Sequence, residues 1–395
     1  MEKEPGVDTF VPGKRIAIVA PHASPVPMDG GSIRSRAIAD SFAKIGYEVF
    51  FWGREEHLRI TKNEGACLRS VVPRSNSKLL PAVLSVVRRS HYVMEKHMPE
   101  KWIVATCEAL DRLRIGTVFL NFIWTEEVVR RLNYKPRVLL DTHNNEVEWF
   151  ENLMTHGQGM LGKMVCRNSI RYSLRAIERL GAATELIHVS ERDRNFYVEK
   201  RPDLVHRILP NGCVLKPGRV TPDYAVATKR LYFLGSLSTS MNQDALTMFA
   251  RTYWPTLKNH ATFKVIGSNP PPSISALCDE NSWTLVADPT DRELDIILKS
   301  MHYAVLPFAY GAGSKLKLLD ACGRGIPVLA TKGGVTGFGN LPGGIFVSEI
   351  PEEWLEKVMQ SSSLQPDSGG LLEFAGSYSW EHLVARFVAE AGLRL

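Results

Sequence analysis

Short apolar runs rich in β-branched residues alternate along the chain with segments whose apolar residues recur at helical spacing. Lys14-Arg15-Ile16-Ala17-Ile18-Val19-Ala20, closed by Pro21, is the first such run and predicts a parallel strand buried on both faces. Residues 32–46 then set Ile33, Ala37, Ile38, Phe42 and Ile45 on one helical face, Gly46 stops the helix, and Tyr47 to Trp52 resume strand character. The result is a β-α-β unit. Further strands are expected at Thr117 to Phe122, Arg137 to Asp141 and Leu186 to Ser190, with helical segments around 81–114 and 161–180. Between 209 and 230 the pattern breaks into Leu209-Pro210-Asn211-Gly212, Pro217-Gly218 and Pro222-Asp223, the composition of a linker. The alternation then restarts, with strands at Arg230 to Leu234, Thr262 to Ile266, Thr284 to Val286, Ala304 to Pro307 and Pro327 to Ala330. Helices are expected at 242–258, 291–300 and 314–323, a polar loop at Ser361 to Gly370, and an amphipathic helix capped by Ser379 at the end.

A chain of 395 residues exceeds what one hydrophobic core usually organises, so two α/β domains are expected. The boundaries read as 1–210 and 211–377, with the segment 378–395 packing back onto the first domain. Both halves read as doubly wound sheets. Ligands of such sheets sit outside the carboxyl ends of the strands, so two sheets facing each other are expected to put the site in the cleft between them.

Composition narrows the classes further. With 44% hydrophobic and 23% charged residues the chain is neither disordered, collagenous nor a coiled coil. No apolar run reaches the length of a spanning helix, and Met1-Glu2-Lys3-Glu4-Pro5 lacks the pattern of a signal peptide. Six cysteines without a CxxC pair indicate neither a disulfide framework nor a zinc site, and a cytoplasmic location is expected. The net charge of +6 lies wholly in residues 1–200, which hold 30 Lys and Arg against 24 Asp and Glu, while residues 201–395 hold 18 of each. That excess is too diffuse for a nucleic-acid binder and suits an anionic membrane, a phosphorylated ligand or simply a solvated surface. Arg167, Arg171, Arg175 and Arg179 recur at i+4 along one expected helix, which suits either peripheral membrane contact or a solvated face.

Four segments carry candidate chemistry. After the first strand, Gly30-Gly31-Ser32 lets backbone approach a ligand at a helix N-terminus, but the spacing is not GxGxxG and argues against NAD or FAD. Asp141-Thr142-His143 ends a strand in titratable groups, with His143 the candidate for chemistry near neutral pH and Asp141 placed to orient it or to cap locally. Asn144, Asn145 and Glu146 equally read as the start of a helix. The segment Leu306 to Thr331 runs from strand through Gly311-Ala312-Gly313 into a helix that Ser314 can cap. There the amides near Gly313 to Lys315 can receive phosphate oxygens, and Lys317 and Asp320 share a face. Lysines 315 and 317 oppose the helix dipole, which an anionic ligand would reverse. The fourth, Gly235-Ser236 to Asn242, is a small-residue loop between strand and helix, suited to a phosphate.

Together, Gly30-Gly31, Asp141-Thr142-His143, His188-Val189-Ser190-Glu191, Leu209-Pro210-Asn211-Gly212 and Gly311 to Thr331 resemble the GT-B glycosyltransferases of family 4, over nearly the whole chain. The resemblance implies two Rossmann-like domains and retaining, metal-independent transfer of a sugar from a nucleotide diphosphate to an acceptor hydroxyl, with no further cofactor. It implies donor contacts from Gly235, Ser236, Asn242, Gly313, Ser314, Lys315, Lys317 and Asp320, approach of Gly30 and Gly31 to the diphosphate, and a sugar contact from His143. Two departures stand out. The family's two glutamates, eight positions apart, are Ala312 and Asp320 here, and the arginine and lysine that many relatives place near 235–242 are replaced by Ser, Thr and Asn. A branch acting in polysaccharide and exopolysaccharide pathways looks similar in its Asn-bearing loop and its Gly-x-Gly-x-x-x-Lys block. The implied acceptor is a glycan, a lipid-linked or a small molecule, at the cytoplasmic membrane face. Two other readings stay open: a non-catalytic GT-B module that binds a glycan or partner, favoured by Ala312, and a sugar-nucleotide epimerase, for which no carboxylate set is evident.

Overall fold

Ile16 to Ala20 are wholly buried, as a strand covered on both faces must be, and they form most of β1 (Arg15–Val19) and the residue after it. The computed structural model describes residues 14–23, 30–61, 65–70, 79–155, 159–216, 218, 222–309, 316–360 and 368–393. They divide into two units. One comprises β1, Gly31–Leu209 and the chain from Val384 on; the other holds Gly30 and Pro210–Leu383.

In the first unit α1 (Gly30–Lys44) leads to β2 (Glu48–Trp52), β3 (Glu56–Ile60) and β4 (Gly65–Ser70). Three helices follow, α2 (Leu79–Val87), α3 (Tyr92–His97) and α4 (Glu100–Leu113), where the sequence pattern reads as one helical region. The chain continues through β5 (Thr117–Asn121), α5 (Glu126–Arg130), β6 (Arg137–Asp141), α6 (Glu146–Thr155), α7 (Met160–Arg179), β7 (Thr184–His188), α8 (Glu191–Lys200) and β8 (Val205–Ile208). The strands form one sheet in the order β4-β3-β2-β1-β5-β6-β7-β8. Pairing is parallel except for β2-β3 and β3-β4, an antiparallel edge that the alternation of the sequence does not reveal. The strand expected at Leu186 to Ser190 ends two residues earlier, because Ser190 turns to cap α8 and accepts from the Asp193 amide.

The second unit repeats the plan with β9 (Lys229–Leu234), α9 (Ser240–Met248), α10 (Trp254–Leu257), β10 (Ala261–Gly267), α11 (Pro272–Glu280), β11 (Thr284–Ala287), α12 (Asp291–Lys299) and β12 (Tyr303–Leu306). Then come α13 (Leu316–Gly323), β13 (Val328–Ala330), β14 (Ile345–Val347), α14 (Pro351–Met359), α15 (Ser368–Ser377) and α16 (Trp380–Glu390), whose residues from Val384 on belong to the first unit. The sheet order is β11-β10-β9-β12-β13-β14, all parallel. A π-helical stretch, Phe249–Tyr253, interrupts the helix expected over 242–258, and α15 begins inside the segment read as a polar loop. Ser379 accepts from the His382 amide at the start of α16. At the other end of that helix, Arg137 donates to Ala391 O and Arg207 to Glu390 O, fixing the terminal segment to the first unit.

Each sheet has one point where consecutive strands part to opposite sides, β1/β5 in the first unit and β9/β12 in the second. Side chains at the carboxyl ends of those strands belong to the crevice where doubly wound folds bind ligands.

Candidate functional site

At the switch point of the first unit, α1 begins with Gly30 and Gly31 inside its first turn, so the pair forms the helix N-terminus instead of a turn ahead of it. The same helix buries Ser32, Arg34 and Ser35. Arg34 grips the Asp141 carboxylate with both arms of its fork, Nε to Oδ2 at 2.7 Å and Nη2 to Oδ1 at 3.1 Å, and Nη2 also donates to Leu209 O at 2.7 Å. One guanidinium thus ties the ends of β6 and β8 to α1. Burial alone would push the Asp141 carboxyl up, but Arg34 and His143 outweigh it and hold it below the usual carboxylate range.

Asp141 Oδ1 accepts the amide of His143 at 3.3 Å, which helps hold that residue in the left-handed region at φ 57°. The ring then lies against Phe122, stacked at 4.0 Å, with His22 edge-on at 5.4 Å. Its side chain is only 5% exposed. Burial pushes the imidazole down to about 3, against the pull of Asp141, so His143 is neutral in the physiological range. The tautomer follows from its neighbours. Asn121 Nδ2 donates to Val19 O, which leaves Asn121 Oδ1 as an acceptor, reached by Ser35 Oγ and by His143 Nε2, each at 2.9 Å. Nε2 therefore carries the proton and Nδ1 the lone pair. His143 can accept a hydroxyl hydrogen bond and is a poor general base.

Behind this site, Phe122 stacks on Trp124, and Trp124 on the fully buried His91. Glu146 opens α6, as one reading of that segment has it, with its Oε1 accepting from Trp124 Nε1 at 3.1 Å. Its Oε2 has no partner among the described residues, and burial pushes the carboxyl up to about 8, so the group is protonated at neutral pH. Arg34, Asn121, Ser35 and Glu146 are absent from the candidates read from sequence. The signal for Arg34 is its spacing: it shares the α1 face of Ile38 and Phe42.

In the second unit Gly235 follows β9 at the switch point. A Cβ there would lie 2.7 Å from Lys317 Cε and 2.9 Å from Asn242 Nδ2, so glycine is what admits both side chains. Lys317 crosses from α13, its ammonium 5.5 Å from the Phe308 ring centre and 6.0 Å from that of Phe233, the ends of the two diverging strands. Asn242 Nδ2 donates to Ser236 O at 2.6 Å and closes the loop on itself. The structure thus brings Gly235, Ser236, Asn242 and Lys317 together. Asp320 stands one turn along α13, where Arg324 Nε donates to its Oδ2 at 3.1 Å and its side chain stays 35% exposed. Arg324 also binds Asp295 at 2.6 Å. Gly313, Ser314 and Lys315 lie outside the described residues, as does the capping expected of Ser314. Among the described residues no group of three His, Cys, Asp or Glu side chains is placed to hold a metal ion, and no helix is long and apolar enough to cross a membrane. Cys107, Cys166, Cys213, Cys278 and Cys322 are free and buried.

Residues 228–362, which hold all six strands of the second sheet, match the model of a domain described as glycosyl transferases group 1. No curated protein sequence matches the chain. Among solved structures it is similar to a sucrose-phosphate synthase from Thermosynechococcus elongatus, at 13% identity and TM-score 0.67, over 96% of this chain and 98% of that one. WaaG, a glycosyltransferase involved in lipopolysaccharide biosynthesis, gives 15% identity and TM-score 0.60 over 95% and 99% of the two chains. HepE from Anabaena, solved with UDP and glucose, gives 10% identity and TM-score 0.59 over 96% and 99%. The fold is that of these GT-B enzymes, and the group 1 domain makes the protein a glycosyltransferase.

Proposed function

We propose that this glycosyltransferase of the GT-B fold is a retaining, family 4 type enzyme. It moves a sugar from a nucleotide diphosphate, without a metal ion or further cofactor, to an acceptor hydroxyl of a polysaccharide or glycoconjugate. The observation that carries the reading is Lys317, laid over Gly235 at the β9/β12 switch point inside the group 1 domain. Negative charge grows on the leaving diphosphate as the glycosidic bond breaks, and a fixed ammonium there stabilises it. Lys315 and the amides of Gly313 and Ser314 would complete that clamp, and Asp320 would accept the ribose hydroxyls. The donor class is supported by HepE, solved with UDP and glucose, and the glycoconjugate acceptor by WaaG, which acts in lipopolysaccharide biosynthesis.

In the first unit the neutral His143 would accept a hydrogen bond from the transferred sugar through Nδ1, while the Asn121 and Asp141 contacts hold its ring in place. Gly30 and Gly31, at the N-terminus of α1, present backbone amides of the kind that receive a phosphate. Chemistry at the cytoplasmic membrane face is the setting this acceptor class suggests.

Calorimetric titration of UDP-, GDP- and ADP-linked sugars into wild type, Lys317→Ala and Asp320→Ala tests the reading. One base should bind, and both substitutions should weaken it. Binding of none, or binding indifferent to both, refutes the donor site, and Ala312 then becomes the mark of a module that has lost transfer.

A further inference from the structure

On the first unit, α2 packs on α7 through its Pro81 and Ser85 side, with Asn168 Nδ2 donating to Ser85 O at 3.1 Å. Opposite that seam the helix turns Leu79, Leu80, Val83 and Val87 to solvent, and Val87 is 74% exposed. None of the nine residues of α2, LLPAVLSVV, is charged. Isolated exposed apolar residues need no explanation, but an uncharged helix showing four of them does.

The neighbouring helix has the same character at its start and a different one beyond it. Val165, Cys166, Ser169, Ser173, Ala176 and Ile177 face the core of the unit. The opposite face reads Met160, Met164, Arg167, Arg171 and Arg175, at i, i+4, i+7, i+11 and i+15, all exposed, Met160 by 83%. None of these three arginine side chains makes a hydrogen bond or ion pair among the described residues. Arg179, which the sequence sets on the same face, departs from it: it pairs with Glu126 and lies over the Tyr172 ring. In the twenty residues of α7, Glu178 is the one acid against Lys163 and four arginines.

We propose that α2 and the outer face of α7 dock this unit on an anionic lipid bilayer. The aliphatic and methionine side chains enter the interfacial layer, and Arg167, Arg171 and Arg175 lie among the headgroup phosphates. Charge complementarity selects that occupant: an uncharged apolar helix beside a row of unpaired cations is the composition of an interfacial helix surface. The inference deepens the membrane-face setting of the proposed function and uses none of the residues assigned to the donor.

Flotation of the full chain with vesicles of phosphatidylcholine, with and without one third phosphatidylglycerol, tests it. Wild type should float with the anionic vesicles, less so as salt rises. Arg167→Ala, Arg171→Ala and Arg175→Ala combined should lower the partition coefficient roughly a hundredfold, at about fivefold for each basic residue near the surface. Val87→Glu with Met160→Glu should lower it on neutral and anionic vesicles alike. All five positions are exposed, so melting temperature and nucleotide-sugar binding should stay at wild-type values. Loss of donor binding in wild type would strike the proposed function alone. The membrane face is overturned by equal flotation on both vesicles, by unchanged flotation of the triple variant, or by self-association or binding of an acidic protein that the same substitutions abolish while vesicles are ignored.

Discussion

Replacing Gly235 with alanine separates the chemistry assigned to Lys317 from the stability of the sheet around it. The new methyl would meet Lys317 Cε at 2.7 Å and Asn242 Nδ2 at 2.9 Å, closer than Cβ contacts occur, so something must shift. Both obstructing atoms are far ends of flexible side chains, so the side chains give and the backbone stays. Overpacking relieved in this way sits at the low end of its usual range, about 1 kcal/mol, a shift of a few degrees in Tm. Function pays more, because the displaced ammonium loses a charge-assisted contact of about 1.5–3 kcal/mol with the diphosphate, roughly 10- to 150-fold in donor Kd. Gly267→Ala is the control: its methyl would lie 1.7 Å from the backbone oxygen of Gly235, where no side-chain rotation helps. That variant should lose about 3 kcal/mol or more, through separation of backbone segments at the end of β10. Thermal melts with calorimetric titration of the nucleotide sugar read both effects. If Gly235→Ala binds donor as wild type does, or is destabilised as far as Gly267→Ala, the placement of Lys317 at the diphosphate is wrong.

Three further outcomes follow from the first unit. Because burial lifts Glu146 from 4.5 to about 8, the folded chain keeps a proton that the unfolded chain releases, so its contribution falls by about 1.4 kcal/mol per pH unit as pH rises through that window. Glu146→Gln should remove this slope and stabilise the protein by about 3 kcal/mol at pH 7; denaturant melts from acid to mildly alkaline pH that run parallel for the two proteins would refute it. Arg34→Met should cost about 3–5 kcal/mol by leaving the buried Asp141 carboxylate unpaired, and Arg34→Met with Asp141→Leu should recover much of it, as a double-mutant cycle in urea would show. His143→Gln should lower kcat by about a hundredfold without altering the pH profile around neutrality, since the wild-type ring stays neutral down to about 3; an acid limb near 6.5 present only in wild type would contradict this.

The two doubly wound sheets were legible because strands buried on both faces, such as those around Ile16 and Val305, must be continuous apolar runs. The edge pair β3 and β4 was not, since EHLRI and GACLRS are short, polar at alternate or irregular positions and paired antiparallel. Asp141 and His143 were readable as a polar strand end, and Gly235 as the start of a small-residue loop suited to a phosphate. The partners were not readable, because Arg34 meets Asp141 across 107 residues and Ser35 meets Asn121 across 86. An arginine inside a helix ordinarily reads as solvated, and a glutamate in a first turn as a partner of the helix dipole. Both readings fail here for one reason. The carboxyl edge of the first sheet is covered by α1 and by the turn after β6, so polar residues that local pattern sends to solvent are dry. Once dry they must be paired, as Arg34 is, or neutral, as His143 and Glu146 are. The same dryness fixes His143 as a hydrogen-bond acceptor and removes it as a base, a distinction that depends on burial and on no feature of the sequence around it.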